Sequence, residues 1–172
     1  MTKEQFIELM AAEQESLRRF LRGLCGGDGF LADDIAQEAL LKAYLSFERF
    51  QGRSRFSTWL FRIAYNCYYD HIKKNGREDN CFSMDDPGQD ARHEVSSVQD
   101  DGASVDVGYE RQHLHMAIRS LPKLEYVVIL LFYMEEKSVK EIEIITGMPS
   151  GTIRSHLSRA RVHLRQYMEK MV

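Results

Sequence analysis

Ser138-Val139-Lys140-Glu141-Ile142-Glu143-Ile144-Ile145-Thr146-Gly147-Met148-Pro149-Ser150-Gly151-Thr152-Ile153-Arg154-Ser155-His156-Leu157-Ser158-Arg159-Ala160-Arg161 reads as two helices around a tight turn. Ser138 and Glu141 stand at capping-box spacing, the serine accepting from the N3 amide and the glutamate reaching back, so a short helix starts there. Gly147 ends it, because glycine takes the left-handed conformation such a turn needs without a Cβ penalty. The next helix starts around Pro149 or Ser150 and turns Ile153, Leu157, Ala160 and Leu164 inward, spaced four, three and four apart. Its other faces carry Thr152, Arg154, Ser155, His156, Ser158, Arg159, Arg161 and Arg165, and from Ser150 to Gln166 there are four arginines and no acid. A short helix, a glycine turn and a longer basic helix make a helix-turn-helix, whose second helix lies in the major groove of duplex DNA. Arginine can take the O6/N7 edge of guanine bidentately or a phosphate oxygen, and Ser or Thr can contact either. A solvated basic helix at the end of the chain is the plainer alternative.

Outward from this stretch, the charge divides along the chain. Residues 1–76 carry 11 Lys/Arg and 10 Asp/Glu, residues 77–110 carry 2 and 10, and residues 111–172 carry 10 and 6. The overall charge of −3, which taken alone argues against a nucleic-acid partner, therefore averages three different segments. Arg77 to Glu110 is rich in Asp, Ser, Gly and Gln and too poor in large apolar residues to offset its ordering entropy, so it reads as a flexible acidic linker. The flanks, 1–76 and 111–172, then read as two small domains near the lower size limit for independent folding.

The first flank reads as three helices. Phe6, Leu9, Met10, Leu17, Phe20, Leu21 and Leu24 recur at helical spacing until Gly26-Gly27. A second helix begins near Asp33 and Asp34, where acids suit a helix N-terminus, and turns Ile35, Ala39, Leu40, Ala43 and Phe47 toward a core. After the loop Phe50-Gln51-Gly52-Arg53-Ser54-Arg55, a third runs from about Ser57 to Lys74 with Trp59, Leu60, Ile63, Ala64 and Cys67 inward. Strand signals are weak throughout, and the expected class is all-α. Around the loop, Arg49, Arg53, Arg55, Arg62, Lys73 and Lys74 interleave with Phe50, Phe56, Trp59, Phe61, Tyr65, Tyr68 and Tyr69. Cations mixed with aromatics hold single-stranded nucleic acid by neutralising phosphates and stacking on bases. For Trp59 and Phe61, a place in the core is an equally good reading. The acidic run Asp33 to Glu38 fits a basic protein partner or merely a helix N-terminus.

Several classes are disfavoured. The longest apolar run, Tyr126 to Met134, is nine residues, about half of the roughly 20 a membrane-crossing helix requires. The N-terminus, Met1-Thr2-Lys3-Glu4-Gln5, lacks the basic and apolar regions of an export signal. Cys25, Cys67 and Cys81 show no C-x-x-C spacing and suit free thiols in a reducing cytoplasm. The histidines are dispersed, His113 and His115 do not share a helix face, and no glycine-rich phosphate loop is present. No enzyme activity, metal or cofactor is expected.

Two longer motifs carry a family resemblance. Asp33-Asp34-Ile35-Ala36-Gln37-Glu38-Ala39-Leu40-Leu41-Lys42-Ala43-Tyr44, Glu48-Arg49-Phe50-Gln51-Gly52 and Phe56-Ser57-Thr58-Trp59-Leu60-Phe61-Arg62-Ile63-Ala64-Tyr65-Asn66 resemble region 2 of extracytoplasmic-function (ECF) sigma factors. Leu121-Pro122 together with the helix-turn-helix stretch resembles their region 4. The resemblance implies that Asp34, Gln37, Glu38 and Leu41 dock on the clamp helices of core RNA polymerase. It also implies that the loop from Gly52 to Thr58 captures a base flipped out of the melted minus-ten element. Arg53, Ser54, Phe56 and Thr58 belong to that loop, and Trp59, Arg62, Asn66, Lys73 and Lys74 on the following helix would hold the non-template strand. Pro149, Gly151, Thr152, Arg154, Ser155, Ser158 and Arg159 would read the minus-thirty-five element as duplex. An acidic linker in this position would follow the polymerase's nucleic-acid channels, and could repel DNA until core polymerase binds.

The chain departs from the family at Glu143, where alanine is usual, at Ile144, where a polar residue is usual, and at Thr146, often leucine. A one-residue shift of the buried face would accommodate these. Tyr126 to Met134 is apolar on every face, where the family often has arginine or glutamate. It is expected to be deeply buried, or covered by region 2 of the same chain or by an anti-sigma factor. Two other functions fit parts of the sequence. A stand-alone helix-turn-helix regulator would need no acidic docking helix, and a protein-binding helical adaptor would need no arginine-only recognition helix.

Overall fold

A computed structural model of the protein describes residues 1–75 and 105–171. Helix α1 (Lys3–Leu24) opens on a capping box between Thr2 and Gln5 and buries Phe6, Leu17, Phe20, Leu21 and Leu24. Leu9, expected inward, is exposed. Helix α2 (Gly29–Leu45) begins a full turn before the acidic pair at Asp33 and Asp34. The reason is Asp28, whose carboxylate accepts from the Leu31 N–H at 3.1 Å and so caps the helix earlier. Its inner face is mostly alanine (Ala32, Ala36, Ala39, Ala43) around Ile35, which lets its neighbours approach closely.

A 3-10 turn at Phe47–Arg49 and the loop 50–55 lead into α3 (Phe56–Lys74). Leu60, Phe61, Ala64, Tyr65, Cys67 and Tyr68 are buried, while Trp59 and Ile63 are half-buried. The aromatic residues flanking the loop close on Phe6, whose ring centre lies 5.2 Å from Phe47, 5.4 Å from Phe56 and 6.3 Å from Trp59.

The C-terminal half comprises α4 (Val105–Arg119), α5 (Lys123–Ile129), a π-helical segment at Leu130–Met134, α6 (Val139–Thr146) and α7 (Ser150–Met171). Helix α4 starts inside the stretch expected as linker; the remainder of that stretch, with its expected flexibility, lies outside the described residues. No strand occurs among the described residues, and the fold is all-α.

The expected capping box of α6 is present, and Gly147 closes the helix at φ 75°. Ile142 and Ile145 are buried against Ile153, Leu157 and Ala160 of α7, while Glu143 faces solvent. The glutamate that replaces the usual alanine therefore buries no charge. Thr146 spans the turn, its hydroxyl donating to the Ile142 carbonyl at 2.7 Å and accepting from the Met148 N–H at 3.3 Å.

Both halves share one core. Val127, Val128, Ile129, Leu130 and Leu131 are buried in the same cluster as the inner side chains of α1 and α3. The apolar run is thus covered by the chain's own N-terminal half from Val127 to Leu131, while Tyr133 and Met134 at its end stay exposed. Gly23 provides the seat: a Cβ there would lie 2.9 Å from Leu130 Cδ1 and 3.3 Å from the Tyr126 hydroxyl oxygen. That hydroxyl donates to the Gly23 carbonyl at 3.0 Å.

Candidate nucleic-acid interface

On α7 the inward stripe leaves a continuous outer face. Pro149, Gly151, Thr152, Arg154, Ser155, Ser158 and Arg159 are all exposed, as a groove-reading surface requires. Arg154 and Arg159 enter no ion pair among the described residues, so their guanidinium groups are available. Arg161 is engaged, its Nε donating to the Tyr133 hydroxyl at 2.8 Å. His156 is half-buried with its Nδ1 enclosed and unpartnered; burial, together with Arg159, lowers its pKa below the ordinary 6.5 and favours the neutral ring.

The second cluster lies at the start of α3. Arg49, Phe50, Gln51, Arg53, Ser54, Trp59 and Arg62 line a cleft of about 290 Å³, with Ile144 of α6 on its far wall. Its mix of aromatic surface and guanidinium groups suits an unstacked base with its phosphates. Arg62, Asn66, Lys73 and Lys74 continue as an exposed row along α3. Phe56 and Thr58 are differently placed. Phe56 is buried among Phe6, Phe50 and Trp59, and Thr58 is fully buried, its hydroxyl donating to Glu141 Oε1 at 3.1 Å. In this arrangement neither presents a surface to DNA.

The third surface is on α2. Asp34, Gln37 and Leu41 are exposed on one face, and Glu38 beside them receives a hydrogen bond from Lys42 at 2.7 Å that lowers its pKa. Phe30, 90% exposed, and Leu45, 75% exposed, extend the row at both ends. Sequence reasoning missed both, although they keep the i, i+4 rhythm of Asp34 and Leu41 and stand out as large apolar residues opposite an alanine face.

Residues 9–78 match the Sigma-70 region 2 family, and residues 111–164 match the Sigma-70, region 4 family. The chain is 33% identical over 144 residues to the ECF RNA polymerase sigma factor SigW of Bacillus subtilis (strain 168), covering 81% of this chain and 76% of that protein. It is 34% identical over 134 residues to the ECF RNA polymerase sigma-E factor of Escherichia coli (strain K12), covering 74% of this chain and 69% of that one. In three dimensions it is similar to the sigma factor RpoE of Bartonella quintana, solved in complex with the anti-sigma factor NepR. The TM-score is 0.75 at 27% identity, covering 96% of this chain and 98% of that chain. Both sigma regions are present in order, and relatives of this identity are matched over more than two thirds of their length: the chain belongs to the ECF family of RNA polymerase sigma factors.

Proposed function

We propose that this sigma factor binds core RNA polymerase through the outer face of α2, reads the minus-thirty-five element as duplex with α7, and holds the melted minus-ten strand on the loop and outer face of α3. One observation carries the reading: a single chain exposes both a partly acidic docking face on α2 and an acid-free reading face on α7. Extruding a base costs a few kcal/mol of stacking and pairing, so a cleft that receives it selects sequence and nucleates melting together. The 290 Å³ cleft has the size and lining for that task. The protein acts by binding, in the cytoplasm where polymerase works, and performs no chemistry of its own. No helix among the described residues is long and apolar enough to cross a membrane. RpoE, a structural relative, was solved with an anti-sigma factor, and a partner of that kind fits this chain as well.

The test combines purified protein with sigma-free core polymerase and genomic promoter fragments. Run-off transcripts that require both components are the expected result. Tight duplex binding without core and no initiation would instead make the protein a stand-alone regulator. In the same assay Trp59→Ala impairs promoter opening while leaving core binding near its original level, because Trp59 lines the cleft and no residue of α2 does.

A further inference from the structure

A buried polar pair lies beneath α7. Glu125, in the first turn of α5, is 3% exposed, and its Oε2 stands 2.6 Å from Nδ1 of His163, whose side chain is 46% exposed. Thr152, His156, Arg159 and His163 follow one another at four, three and four residues and so form one ridge along α7. Two of the four, Thr152 and Arg159, belong to the proposed reading face, and Glu125 also acts electrostatically on the His156 ring. At about 100° per residue, His163 and Arg161 fall on opposite sides of the inward stripe of Leu157, Ala160 and Leu164. Each side therefore carries a hydrogen bond to the elements beneath. The Arg161 bond ends on Tyr133, which is 52% exposed, whereas the His163 bond ends on a carboxylate shut away from water. A bond in water is readily exchanged, but a buried one is costly to leave unmade.

We propose that Glu125 is a positioning residue for minus-thirty-five recognition, fixing through His163 the rotation of α7 about its own axis. This rests on the assignment of α7 to that element. Ile153, Leu157 and Ala160 bury α7 by apolar contact, which is non-directional and tolerates small rotations. Side chains reach about 5–6 Å from a helix axis, so a rotation of roughly 20° moves their ends by about 2 Å, enough to break a hydrogen bond to a base edge. The pair supplies the direction that the apolar stripe lacks. A buried polar pair replaced by apolar side chains of similar size often leaves a fold as stable or more so, which separates aim from stability.

The test uses the holoenzyme, reconstituted from core polymerase and the full chain, on a promoter that supports run-off and on the same promoter with its upstream element scrambled. The readout is the ratio of transcripts from the two. Replacing both partners, Glu125→Leu with His163→Leu, leaves the melting temperature of the free chain at or above the wild-type value. It lowers the transcript ratio about tenfold, the discrimination carried by roughly one bidentate base contact. Glu125→Gln, which keeps an acceptor at the same place, retains the wild-type ratio, a rescue that a role in packing alone does not give. A double variant that keeps the wild-type ratio overturns the proposal. So does one that unfolds, since the pair would then hold the fold rather than the aim, and so does a Gln variant as impaired as the double. A wild-type ratio near one overturns the assignment of α7 itself, whatever the variants do.

Discussion

Glu141 uses both oxygens of one carboxylate for different halves of the molecule. Oε2 accepts from the Ser138 N–H at 2.8 Å, completing the cap of α6, and Oε1 accepts from Thr58 across the interface. Burial pushes this carboxyl up, but the hydrogen bonds from Ser138 and Thr58 and the nearby Lys137 outweigh it, so its pKa lies below the ordinary 4.5. A lowered folded-state pKa means stability that is full above 4.5 and lost as the pH falls through the folded value. The melting temperature is therefore expected to step down below that point in a pH series, and Glu141→Gln removes the step. His156 acts in an earlier window. Its ring is held neutral, so stability falls as the pH drops through 6.5 toward the lower folded value, where the unfolded chain takes up the proton first. His156→Gln should flatten that part of the melting curve series. The local bond of Glu141 was legible in the sequence because capping-box spacing is a local rule. Its partner Thr58 was not, because nothing local links residues 83 positions apart.

Among the elements, the turn between α6 and α7 is the most demanding. Gly147 sits at φ 75°, where a Cβ meets open space, so the penalty for a side chain there is conformational alone. Gly147→Ala should cost about 1–2 kcal/mol. For a chain of this length that lowers the melting temperature by roughly 2–8 °C, measurable by circular dichroism. Minus-thirty-five duplex binding should weaken with it, since the turn aims α7. The inward stripe of α7 and both ends of α6 could be read from spacing, because each follows from periodicity or a capping rule. The start of α2 could not: Asp28, Asp33 and Asp34 are all plausible caps in isolation, and only the bond from Leu31 N–H to Asp28 distinguishes them. The Tyr126 to Met134 run signalled that a cover was needed without saying which surface supplied it. That answer depended on Gly23, a glycine within a helix that local reasoning has no cause to single out.

At the scale of the whole molecule, the average charge hides the working parts, and salt should expose them. Arg154, Arg159 and Arg165 are exposed on α7, whereas Arg161 is held by Tyr133. If three phosphates are neutralised, minus-thirty-five duplex affinity should fall about fortyfold between 50 and 200 mM salt, against about 150-fold if Arg161 is released to make a fourth. A fluorescence-anisotropy titration over that range separates the two slopes. The acidic segment between the halves is mostly outside the described residues, so its part in masking DNA is tested by replacing it with a neutral one. Unchanged DNA binding by the free protein would set that role aside. Temperature acts unequally on the contact between the halves and on the α6–α7 turn. The seat of Leu130 on Gly23 is largely apolar contact, which weakens on cooling, whereas Thr146 holds the α6–α7 turn by hydrogen bonds at both sides. Cooling would thus weaken the apolar packing between the halves before it disturbed the hydrogen-bonded turn that aims α7.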